Sequence, residues 1–157
     1  MKYKGKTVEG KNVEVLVLLK GEDQIVFQAE SVPSYEEFEK LVAEPTPPTR
    51  MRPGGATEEF REDPTFQTLL KEYAEKKTNF LIITSLRVTE ELEWDTVNFD
   101  KPDTWGNWRT ELEESGFSEI ELVRIMKIVM QANSLDDDLL EQARQSFLAE
   151  QRQQQGK

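Results

Sequence analysis

Val13, Val15 and Val17 alternate with Asn12, Glu14, Leu16 and Leu18, and a second β-rich run, Ile25, Val26, Phe27 and Ala29, follows the polar stretch Gly21-Glu22-Asp23. Two such runs around a short glycine-containing loop predict a β-hairpin. Residues 3 to 8 are a candidate third strand. A lone hairpin is marginal in water, so this one is expected to pack on something. Ser34 and Glu37 then have the spacing of a capping box, in which the serine hydroxyl accepts from a free backbone amide and the glutamate reaches back to the cap. Phe38, Leu41 and Val42 give the helix that follows one apolar face, and Pro45 stops it.

The periodicity lapses over residues 43 to 62, where Pro45, Pro47, Pro48 and Pro53 stand beside Gly54 and Gly55. Neither regular helix nor sheet is expected there. A loop of this length is either a solvated linker or a functional segment that orders on a partner. It also carries Arg50 and Arg52, an isolated basic pair. Asp63 and Pro64 open the next helix, as cap and first-turn residue. Its apolar positions, Phe66, Leu69, Leu70, Tyr73, Phe80 and Leu81, fall at helical spacing. From Phe80 to Ile83, with Leu86, it is apolar all round, so its C-terminal end is expected to enter the core.

Residues 89 to 103 read as a connection around Leu92, Trp94, Val97 and Phe99. Glu93 and Asp95 flank Trp94, which suits a tryptophan anchor between solvated charges better than an acid/base pair. Asp100, Asp103 and Gly106 lack the glycine position and closing glutamate of a calcium loop. A helix is expected from about Thr104 to Glu114, with Trp105, Trp108 and Leu112 on one side, ended by Gly116. Ser118 and Glu121 form a second capping box. Behind it Ile120, Leu122, Val123, Ile125, Met126, Ile128, Val129 and Met130 leave only Glu121, Arg124, Lys127 and Gln131 as a polar stripe, the pattern of a central core helix. Asp136, Asp137 and Asp138 open the last helix, where negative charge meets the positive helix end. A metal cluster is the alternative. Leu135, Leu139, Leu140, Ala143, Phe147 and Leu148 give this helix an apolar stripe, and residues 151 to 157 form a polar tail expected to be disordered.

The reading is therefore α+β, mainly α: an N-terminal β-hairpin or small antiparallel sheet packed on a bundle of about four to five helices. Residues 1–42 and 63–150 are expected to form one compact domain, with 43–62 as a Pro/Gly-rich loop. The chain has 157 residues, enough for a core of ordinary size.

Composition narrows the chemistry. With 31 acidic against 20 basic residues, the net charge is −11, which repels nucleic acid and anionic membranes. Cysteine and histidine are both absent. Disulfides, thiolate sites, imidazole bases and the Ser-His-Asp arrangement are thereby excluded. No constellation for carboxylate or lysine catalysis stands out, so the chain reads as non-enzymatic and without a cofactor. Its apolar runs fall far short of the ~20 residues of a spanning helix, and a cytoplasmic location is expected.

The order of elements, and above all the stretch LEWDTVNFDKPDTWGNWRTELEESGFSEIELVRIMKIVMQANSLDDDLLEQARQSFL over residues 92–148, resembles the tail assembly chaperones of long-tailed, siphovirus-type bacteriophages. The likeness lies in pattern and arrangement. It implies a protein of the host cytoplasm that binds the tape measure protein and tail tube subunits and is absent from the mature virion. Such proteins often have a second form, extended by a frameshift near the C-terminus. Self-association stays open. In this reading an acidic helical body presents apolar patches to a long helical client. Its candidate contacts are Arg50, Met51 and Arg52 in the loop and any exposed part of the Trp105 and Trp108 face, since aromatics and arginine are the usual interface anchors. The alternative is an acidic inhibitor or adaptor that imitates nucleic acid and binds a host protein. A third reading, a metal-dependent enzyme of carboxylates alone, would need Asp136 to Asp138 to meet glutamates in a cleft.

Overall fold

The computed structural model describes residues 1–156, and at positions 139, 140, 142 and 143 the backbone alone. The expected apolar stripe of the last helix falls partly on those positions, outside the described side chains. The fold is α+β and mainly α, with small antiparallel sheets towards the N-terminus and five helices among the described residues. By its internal contacts the chain divides into two units. One holds residues 1–31, 85–92 and 118 onward; the other holds 32–84 and 93–117.

In the first unit β3 (Val13–Lys20) pairs antiparallel with β4 (Asp23–Glu30) over eight residues each. The closing pair, Lys20 and Asp23, leaves a two-residue turn with Gly21 first at φ 61°. That is the place where a mirror-image turn demands glycine. Leu16, Leu18, Phe27 and Ala29 are buried on the inner side of this ribbon, where α4 (Glu119–Ala132) packs against both strands. Residues 2–3 (β1) and 6–7 (β2) pair only with each other and are exposed, so they add no third strand to the main ribbon.

α4 starts at the expected cap. Ser118 Oγ accepts from the Glu121 amide at 3.2 Å, and Glu121 Oε1 accepts from the Ser118 amide at 3.0 Å. It ends at Asn133, with Ser134 at φ 56°; the Ser134 amide donates to Gln131 and the Leu135 amide to Met130. These two bonds satisfy carbonyls that the helix end would otherwise orphan. The expectation of a helix buried on almost every side does not hold. Leu122, Ile125, Ile128, Val129 and Ala132 are buried, whereas Ile120 and Val123 are 76% and 56% exposed. A two-stranded ribbon is too narrow to cover more than one face of a helix.

Two polar links close this unit. Asn133 Nδ2 donates at 2.8 Å both to Ser85 Oγ and to the Val129 carbonyl. Thr89 Oγ1 accepts from the Gln28 amide at 2.9 Å and donates to the Gln28 carbonyl at 2.8 Å. α5 (Asp137–Gln155) carries Asp137 and Asp138 in its first turn and stays helical to Gln155, past the expected start of the polar tail.

The second unit is built on α2 (Pro64–Leu86, its last two residues belonging to the first unit). Asp63 Oδ2 accepts from the Phe66 amide at 2.9 Å, as its capping role requires. The helix's C-terminal end is buried, as expected, at Phe80, Leu81, Ile82 and Ile83. α1 (Glu36–Leu41) sets the fully buried Phe38 against it. The Phe38 ring lies 5.3 Å from Tyr73, 5.6 Å from Phe80 and 5.9 Å from Trp105, in tilted contacts that suit aromatic quadrupoles. The capping box expected at Ser34 is not formed. Tyr35 is the cap residue, and Ser34 Oγ only accepts from the Glu36 amide at 3.4 Å. Tyr35 packs instead against Phe38 and Phe80, with the Lys77 ammonium 4.5 Å from its ring centre.

A 3-10 turn at Pro102–Thr104 leads into α3 (Asn107–Glu114), so the helix expected from Thr104 is broken at Trp105 and Gly106. A Cβ on Gly106 would meet Asn79 Nδ2 at 3.2 Å. α3 ends at Gly116, at φ 91°, with the amides of residues 116 and 117 bonded to Glu113 and Leu112. The connection before α3 is tied down by side chains. Thr104 Oγ1 accepts from the Asn98 amide, and the Glu111 carboxylate accepts from the amides of Asp95 and Thr96 and from Thr96 Oγ1.

Burial raises the Glu111 carboxyl's pKa, but hydrogen bonds from Asp95, Thr96 and Val97 outweigh it and hold the value below the ordinary carboxylate range. A lowered folded-state value gives stability that is present above the unfolded pKa and is lost as pH falls through the folded one. Thermal melts should therefore show wild type losing stability below about pH 4.5 more steeply than Glu111→Gln. Parallel pH profiles would overturn this role.

Candidate functional site

The segment expected to lack regular structure contains a third hairpin. β5 (Thr49–Met51) pairs with β6 (Thr57–Glu59), Arg50 facing Glu58. The prolines at 45, 47, 48 and 53 all lie outside the paired residues, and Gly54 and Gly55, at φ 109° and 92°, make the turn. This is why proline content does not prevent pairing.

Arg50 and Arg52 are not an isolated basic pair. Arg50 Nε donates to Glu58 Oε1 at 2.8 Å, Arg52 Nε donates to Glu58 Oε2, and the Arg50 guanidinium lies 4.4 Å from the Phe60 ring centre. Hydrogen bonds from both arginines lower the Glu58 carboxyl's pKa. Arg50, Arg52 and Glu58 together carry a net +1, which Glu59 on the same ribbon balances, and Met51 beside them is 73% exposed. Arg50 and Met51 on β5 and Arg52 just after it are thus brought together and reach solvent.

Trp105 and Trp108 are buried in the core, at 0% and 2% exposure, which withdraws them from the set of surface contacts. Their ring nitrogens are satisfied inside the same unit. Trp105 Nε1 donates to the Phe99 carbonyl at 3.2 Å, and Trp108 Nε1 donates to Asn79 Oδ1 at 2.9 Å. A buried tryptophan with a bonded nitrogen is a packing residue.

Most of the other exposed apolar positions lie in the first unit. Val13, Val15, Val17 and Leu19 form the outer row of β3, all near half exposed or more, with Leu19 at 75%. Ile120 and Val123 stand on the outer face of α4, Leu135 after it, and Phe147 on α5 is 56% exposed. The β3 row has a sequence signal. The run Val-Glu-Val-Leu-Val-Leu-Leu is apolar on both faces of a strand, a pattern of strands covered on two sides, yet here only the inner side is covered. The outer residues of α4 have none, because apolar positions all round a helix do not say which of them find neighbours.

Among the described residues no three acidic side chains come together as a group that could hold a metal ion, and no helix is long and apolar enough to cross a membrane. Compared with protein-family models, with curated proteins and with solved structures, the chain matches none.

Proposed function

We propose that this chain is a non-enzymatic protein-binding component of phage tail morphogenesis, a tail assembly chaperone that engages the tape measure protein and tail tube subunits. It acts in the host cytoplasm and is left out of the virion. The observation that carries the reading is the set of solvent-facing apolar side chains on the C-terminal helices, Ile120, Val123 and Phe147. They fall inside the stretch whose pattern resembles that family. Scattered apolar side chains on convex helices suit weak, repeated contact with an extended amphipathic client. They do not suit enclosure of a small substrate, which needs a concave site. The acidic surface keeps crowded copies soluble and complements basic stretches of a client.

The nucleic-acid mimic needs free carboxylates on a continuous face. In this chain Glu30, Glu58, Glu59, Asp103, Glu121 and Glu141 are each paired with a lysine or arginine, which disfavours that alternative.

Affinity purification of the tagged chain from infected cells, followed by mass spectrometry, tests the proposal. Tape measure and tube proteins should be recovered with wild type and reduced about tenfold with the double variant Val123→Asp/Phe147→Asp, both sites being exposed. Recovery of a host nuclease or polymerase without tail proteins would replace this reading with the inhibitor.

A further inference from the structure

The two edges of the β3–β4 ribbon are not equivalent. In an antiparallel pair alternate residues turn their N–H and C=O groups towards the partner strand and away from it. The pair Lys20–Asp23 closes a two-residue turn, so the even-numbered residues of β3 bond to β4 and the odd-numbered ones face outward. The bond from the Ser31 amide to the Asn12 carbonyl continues that pattern. On β4 the outward groups of Gln28 are both taken by Thr89 Oγ1. A side chain of the same unit thus occupies the middle of the β4 edge.

Among the described residues the β3 edge has no such cover. Over its eight residues it contains no proline, and no other strand of the described residues pairs with it. Natural proteins usually protect an open edge with proline, a bulge or an inward charge; on β3 the inward charges are confined to the two ends, Glu14 and Lys20, with Leu16 and Leu18 between them. The side chains beside this edge are Val13, Val15, Val17 and Leu19, all exposed.

We propose that β3 is a self-association strand: two copies of the chain pair β3 to β3 antiparallel about a two-fold axis at Val17, joining their ribbons into a four-stranded sheet. This register uses the outward-facing odd residues, with Val17 opposite Val17 and Val15 opposite the partner's Leu19. It also sets Glu14 opposite the partner's Lys20, twice. Glu14 and Lys20 are the only charged residues of the strand, and Glu14 has no cationic partner among the described residues. Lys20 already bonds Glu121, and an ammonium has three protons to share. In a chain of net charge −11, an apolar strand whose two charges complement each other under two-fold symmetry is a surface on which copies meet without repulsion. Aliphatic cross-strand pairs and opposite charges across the new junction add to the backbone bonds. This proposal stands whether or not the chain serves tail assembly.

Sedimentation equilibrium of the full chain across a wide micromolar range tests it first. The expected result is a reversible rise from 18.2 kDa to twice that mass. The chain has no cysteine, so Val17→Cys introduces a unique thiol at the axis. Hydrogen-bonded antiparallel pairs place Cα atoms about 5.5 Å apart, within disulfide reach. Mild oxidation should cross-link Val17→Cys and leave Leu19→Cys, which faces the partner's Val15, uncrosslinked. Glu14→Lys and Lys20→Glu should each weaken self-association about tenfold. Mixed together they should form a heterodimer, since every facing pair is then of opposite charge. Far-UV circular dichroism checks that each variant is folded. Persistent monomer, or equal cross-linking at 17 and 19, would overturn the proposal. So would a monomer that instead captures an extended valine-rich peptide in a manner abolished by Val17→Lys, which would assign the edge to another protein.

Discussion

Trp105→Ala is expected to destabilise the chain by about 3–5 kcal/mol, the range for truncating a large buried aromatic side chain. Trp105 is fully buried, with Phe38 at 5.9 Å and Phe80 at 5.3 Å between ring centres. Truncation opens a cavity at the meeting point of α1, α2 and the turn before α3, and packed aromatic neighbours relax only partly into such a void. It also removes the indole hydrogen bond to the Phe99 carbonyl, worth about 0.5–1.5 kcal/mol net. Trp105→Phe should keep most of the packing and lose mainly that bond, so its penalty should be smaller. Urea denaturation followed by near-ultraviolet circular dichroism separates the two variants. A loss below about 1 kcal/mol for the alanine variant would contradict the packing described for this cluster.

The second large effect separates two residues of one helix. Ile125→Ala should cost about 2–5 kcal/mol, whereas Ile120→Ala should stay within about 0.5 kcal/mol. Both are isoleucines on α4, in the same helix but on different sides of it. Ile125 is fully buried on the side facing the ribbon, and Ile120 is 76% exposed. The denaturation midpoint should move for the first and hold for the second, with little change in slope. Equal losses would mean that α4 is covered all round, as its sequence alone suggests. The contrast bears on function too, because Ile120 and Val123 are available to a client only if the fold does not need them.

Ser34 and Ser118 begin the same motif, yet only Ser118 forms it. At Ser118 the cap forms even though Glu121 Oε1 also accepts from Lys20. At Ser34 the next residue, Tyr35, is drawn against Phe38 and Phe80, and the helix starts one residue later than the motif requires. The same kind of competition explains the 43–62 segment. Its prolines do interrupt regular structure, but the three residues of β5 lie between them and pair with β6. The arginines then meet Glu58, a partner eight and six positions away whose approach depends on that pairing.

What the amino-acid order determined by itself is local: the Gly21 turn, the Asp63 and Ser118 caps, the Gly116 helix end, the two-residue period of the main ribbon and the α+β, mainly helical class. Each depends on residues within a few positions of one another, where backbone sterics and short-range hydrogen bonds dominate. The absence of histidine and cysteine is equally a property of composition. Only the tertiary structure decided which apolar residues are hidden. It buried Trp105 and Trp108, left Val13, Val15, Val17, Leu19, Ile120 and Val123 facing water, and occupied the edge of β4 with Thr89 while leaving that of β3 open. Burial is a property of neighbours, and those neighbours come from 61 positions away at Thr89 and Gln28, a separation over which no periodic pattern in the chain carries information.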